Sequence, residues 1–144
     1  MFEVPDKPPG GVVVQDCWLP ASTRSPAHAR RVVRDVLSRV KGGQRFAEHG
    51  SLLVTELVTN AVLHGARRGT LIYLRVVLTD TLLLEVHDIG AGLPVPRADL
   101  PADATCGRGL LLVQRLALRW GCRPRGEGYL GKAVWCECAP AEEA

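Results

Sequence analysis

Three polar residues share one edge of a helical stretch otherwise rich in aliphatic side chains: Glu56, Asn60 and His64 follow one another at i, i+4 and i+8. At 100° per residue they span about 80° of arc and overlap the edge of a stripe formed by Leu53, Val54, Leu57, Val58 and Ala61. The row should line a cleft beside the core. A carboxylate and an amide one turn apart can do definite chemistry. The amide oxygen ligates a hydrated Mg²⁺ while the carboxylate takes a proton from a nucleophile. The same residues also suit a plainer arrangement, with Glu56 a solvated charge, Asn60 a local hydrogen bonder and His64 a complement to the helix C-terminus. The helix by itself does not choose between them.

Two further clusters stand downstream. Asp88-Ile-Gly90-Ala-Gly92 directly follows the apolar run Leu82 to Val86. A strand ending in Asp delivers a carboxylate to the rim of a pocket, and glycines let backbone approach a planar ligand closely. Gly107-Arg108-Gly109 opens a helix, whose unpaired amides and positive dipole end suit a phosphate. Taken singly, the first cluster could be an ordinary turn and the second an ordinary glycine-opened helix.

These residues need a frame, and the periodicities supply one. A β-branched run predicts a strand over 12–19, and Ser25-Pro26 reads as an N-cap and first-turn proline for a helix to about 40. Ala29, Val32, Val33, Val36, Leu37 and Val40 form its apolar stripe. The helix carrying Glu56 spans about 48–64 and stops at Gly65. Strands are predicted over 70–79 and 81–87, turning at Asp80. Residues 89–106 follow no period, which marks a functional or mobile loop. A helix over 107–119 and strands over 120–125 and 132–138 complete the order β, α, α, β, β, loop, α, β, β. That order argues an α+β fold, a two-layer sandwich with helices on one face of a mixed, mainly antiparallel sheet.

The 144 residues suit one domain over 12–138, with a Pro/Gly-rich flexible tail over 1–11 and a short acidic tail over 139–144. A hydrophobic content of 47% against 23% charged argues against disorder and coiled coil. No apolar stretch is long enough for a membrane helix and no secretory signal is visible, so a cytoplasmic location is expected. Fifteen arginines and three lysines give a net charge of +3, but they are dispersed and aromatics are few, which speaks against direct nucleic-acid binding. Five cysteines without a CxxC pair predict free thiols; Cys136 and Cys138 share one strand face, as core packing would have them.

The ordered set carries more than its parts. Glu56-Leu-Val-Thr-Asn60-Ala-Val-Leu-His64-Gly resembles the N-box of the GHKL ATPase/kinase superfamily, Val86-His-Asp88-Ile-Gly90-Ala-Gly92 its first glycine box, and Gly107-Arg-Gly109-Leu-Leu-Leu-Val its second. Within that superfamily the chain looks most similar to the small anti-sigma factor serine/threonine kinases. The resemblance implies a Bergerat-type ATP-binding fold with ATP and Mg²⁺ as cofactors. It implies Asn60 at the metal, Glu56 as general base and Asp88 as acceptor of the adenine amino hydrogen. Gly90 and Gly92 would flank the base, and Gly107, Arg108, Gly109 and Leu110 would form the phosphate-binding turn, with 93–106 as a lid. The implied partners are a sigma factor and an anti-sigma factor antagonist, and a homodimer is allowed. The family usually has Thr or Ser near the start of the last strand, supporting the aspartate or its water. Ala133 is read at that position, implying ATP affinity lower by one hydrogen bond, about 0.5–1.5 kcal/mol. That departure is the feature favouring the alternative function, an ATP-responsive or degenerate module that sequesters a regulatory partner without phosphoryl transfer.

Overall fold

The computed structural model of the chain describes residues 12–65, 69–88, 110–124 and 131–142. Among them run β1 (Val13–Pro20), α1 (Ser25–Ser38), a 3₁₀ turn (Gly43–Phe46), α2 (Ala47–Asn60) and a π-turn (Ala61–Gly65). Then come β2 (Leu71–Leu78), β3 (Leu82–Asp88), α3 (Leu110–Leu116), β4 (Arg119–Pro124) and β5 (Lys132–Cys138).

The strands form one five-stranded sheet in the order β1-β2-β3-β5-β4. The two-layer α+β class stands, and every pairing among the described residues is antiparallel rather than mixed. The tight β2–β3 turn explains part of this: Thr79 N–H donates to the Thr81 carbonyl at 2.9 Å, with exposed Asp80 between them. A turn this short can join only antiparallel neighbours.

Alternation along the strands decides which face is covered. Ile72, Leu74, Val76 and Leu78 of β2, and Leu82, Leu84 and Val86 of β3, point to one side and are buried. On that side α1 packs over β1 and β2, α2 over β3 and β5, and α3 against α2. Helix residues Ala29, Val33, Val36, Leu37, Leu53, Val54, Leu57, Val58, Leu110 and Val113 complete the core. Each fully buried aliphatic side chain contributes about 1.5–3 kcal/mol, enough in sum to overcome the sequence's modest helix propensities.

Two local expectations change. Ser25 does not cap α1: Arg24 occupies the cap position without a side-chain hydrogen bond. Ser25 is already helical and buried, and its hydroxyl donates to the Pro20 carbonyl at 2.5 Å. A capping serine needs extended backbone, whereas this one ties the helix start to the end of β1. The third helix ends at Leu116 instead of 119, because Arg119 has entered β4, paired with Glu137. At the other end of the chain, Ala141 N–H donates to the Arg45 carbonyl at 2.8 Å, fastening this segment to the 3₁₀ turn.

Candidate functional site

Helix α2 brings its aliphatic stripe onto β3 and β5, and this sets the depth of its polar residues. Asn60, the last α-helical residue, is buried, while Glu56 one turn earlier is half-buried. Neither side chain forms a hydrogen bond or ion pair with a described residue. Buried amides normally find partners, and among the described residues the Asn60 side chain has none. His64 departs from the predicted row, being exposed. It lies in the π-turn Ala61–Gly65 that follows Asn60.

The π-turn also delivers Gly65 against the end of β3. A Cβ built on Gly65 would lie 2.2 Å from Asp88 Oδ2 and 2.6 Å from Asp88 Cγ. Gly65 is therefore glycine because a carboxylate occupies its side-chain space. The left-handed glycines among the described residues are Gly42, Gly69 and Gly131, so Gly65 does not end the helix through a left-handed cap.

Asp88 is 3% exposed, deep for a carboxylate, and lies directly across from Lys132 in the β3–β5 register. The Lys132 ammonium, on a residue only 6% exposed, stands 4.0 Å from Asp88 Oδ2. Gly131, at φ 96°, turns the chain into β5 immediately before it.

This arrangement corrects the reading of Ala133. Antiparallel partners point to the same side, and Ala133 pairs with His87, on the sheet face away from the helices. The β5 residue beside Asp88 is Lys132. Its signal was present in the sequence: Cys136 and Cys138 are both buried on the helix side, and counting back by twos reaches Val134 and Lys132. Lys132 and Gly65 are the two site residues that motif reading missed.

Leu110, the first residue of α3, has its side chain in the core, where it helps seat α3 against α2. Gly90, Gly92, Gly107, Arg108 and Gly109 and the 93–106 segment lie outside the described residues. A separate cleft lined by Val40, Arg45, Phe46, Thr79 and Asp80 opens near Leu78, at the opposite end of β2 and β3 from Asp88.

The open sheet face carries its own polar cluster. His87 Nε2 lies 2.6 Å from Glu85 Oε1, and Arg123 Nη2 donates to the same oxygen at 2.8 Å. The Glu85 carboxyl is held below its ordinary value, first by the hydrogen bond with His87, against the upward push of burial, and further by the charges of His87, Arg123 and Arg75. Tyr73 stacks edge-on to His87 at 5.2 Å; burial first, then Asp16, pushes its hydroxyl up to about 12.

Helices on one face of an antiparallel sheet, with a buried asparagine at the end of α2 and a buried aspartate at the end of β3, define a two-layer α+β domain. The family model of the histidine kinase-like ATPase domain matches residues 19–134, and the chain belongs to that family, within the GHKL superfamily. Domains of this superfamily bind ATP, usually with Mg²⁺. No curated protein matches the sequence. Among the described residues no helix is long and apolar enough to cross a membrane.

Proposed function

We propose that the protein is a cytoplasmic anti-sigma factor kinase, which binds a sigma factor and transfers a phosphoryl group from Mg-ATP to a serine or threonine of an antagonist protein. The observation that carries the nucleotide part is the buried Asp88 carboxylate, set at the end of β3 against the bare backbone of Gly65. This carboxylate stands beside Lys132, and a carboxylate oxygen in such a place can also accept from an adenine amino group. Asn60 fits the metal, because its amide oxygen is a neutral hard donor not engaged by any described residue.

When bound, Mg-ATP supplies the γ-phosphoryl group and the metal screens its charge. The chain's own residues then have separate tasks. Asp88 accepts the adenine amino hydrogen and fixes the base. Asn60 would hold the metal and so orient the phosphates from the end of α2. Glu56, half-buried one turn before Asn60, would take the acceptor hydroxyl proton as the oxygen bonds to phosphorus and the bond to the ADP oxygen breaks.

Single-turnover phosphoryl transfer to candidate antagonist proteins tests this. Glu56→Gln is expected to retain ATP and slow transfer by roughly 10²–10⁴. Asn60→Ala is expected to abolish the difference in ATP affinity between Mg²⁺ and EDTA. An unchanged rate in the first variant removes Glu56 as base, and an unchanged Mg²⁺ dependence in the second moves the metal elsewhere. Wild-type protein that binds Mg-ATP but phosphorylates no antagonist is a sequestering module instead.

A further inference from the structure

A buried lysine beside a buried aspartate is a costly choice where a neutral side chain would fill the space. Lys132 and Asp88 face each other across β3 and β5 on the helix side of the sheet, and Gly65 closes against Asp88 from the π-turn. At 4.0 Å the ammonium and Asp88 Oδ2 are farther apart than a hydrogen bond, so the pair sets a donor and an acceptor side by side. The ammonium has three N–H groups and no acceptor, and among the described residues its one ion pair is with Asp88.

A purine edge presents the complementary pattern. Adenine places its 6-amino donor next to the N1 acceptor, so a carboxylate on the first and an ammonium on the second read both atoms at once. We infer that Lys132 is a base-specificity residue, donating to N1 of the adenine whose amino group Asp88 accepts. The inference rests on the ATP-binding reading and adds to it a second, direct contact to the base. Ala133, across the sheet from this site, takes no part.

The test compares binding of Mg-ATP with Mg-1-deaza-ATP, which keeps the amino group and lacks the N1 acceptor. Wild-type protein is expected to prefer ATP by at least about tenfold, as loss of a charge-assisted hydrogen bond dictates. Lys132→Met is expected to bind the two nucleotides alike. It should still prefer ATP over purine riboside triphosphate, which lacks the amino group read by Asp88. A wild-type ratio near one, or a preference for ATP that persists in Lys132→Met, overturns the inference and leaves Lys132 as a counter-ion for Asp88. The wild-type comparison requires no variant, so the inference can be refuted even if Lys132→Met fails to fold. Failure to bind any nucleotide refutes the ATP reading itself, whereas ATP binding without N1 discrimination refutes only the role of Lys132.

Discussion

The contact between Gly65 and Asp88 places a single methyl group in control of the candidate base site. Gly65→Ala sets a Cβ 2.2 Å from a carboxylate oxygen that has only a short side chain to rotate. Asp88 must swing away, losing the geometry for an adenine amino group while keeping its charge. The expected outcome is a loss of ATP affinity comparable with that of Asp88→Asn, about 1.5–3 kcal/mol. Isothermal calorimetry on both variants, with thermal melts to confirm folding, measures it. ATP binding by Gly65→Ala at wild-type strength would show that Asp88 is not held by this contact.

Strand pairing sends neighbouring residues of β5 to opposite tasks. Lys132 faces Asp88 under the helices, while Ala133 lies between His87 and Arg123 on the open face, where Arg123 reaches past it to Glu85. The Glu85 cluster has a predictable pH signature. Its folded pKa lies below the ordinary 4.5, so its stabilisation is fully present above about pH 4.5 and is lost as pH falls through the lower folded value. The difference in unfolding free energy between wild type and Glu85→Gln should therefore shrink between about pH 6 and about pH 3. Arg123 is half exposed, which keeps its bridge under about 1 kcal/mol. Denaturant melts across that range check the prediction, and a pH-independent difference would remove Glu85 as the titrating group.

At the scale of the whole molecule, the core is one layer between the helices and the sheet, and it includes two thiols. Cys136 and Cys138 are fully buried beneath the helices, and burial pushes their thiols up to about 12 and about 11. Thiolate is the reactive form, so both should resist alkylation in the native protein at neutral pH. Mass spectrometry after iodoacetamide treatment, with and without denaturant, should find these two modified only on unfolding. Rapid native labelling of either would mean that β5 opens locally far more often than the rest of the sheet.

Much of this protein follows from periods of two and of 3.6. The stripe Leu53, Val54, Leu57 and Val58 specified a helix packed on one side, and alternation in β2, β3 and β5 specified strands with one covered face, because local backbone geometry dictates which side chains share a surface. The spacing of Glu56, Asn60 and Asp88 was equally legible, since motifs are local. What the sequence left open was everything depending on how distant segments meet. That Gly65 is bare to admit Asp88, and that Lys132 rather than Ala133 stands beside the carboxylate, are consequences of register and packing between α2, β3 and β5. A shift of one residue in β5 would exchange the two neighbours. Only the pairing of complete strands, driven by burial of Val134, Cys136 and Cys138 on the same face, chooses the register.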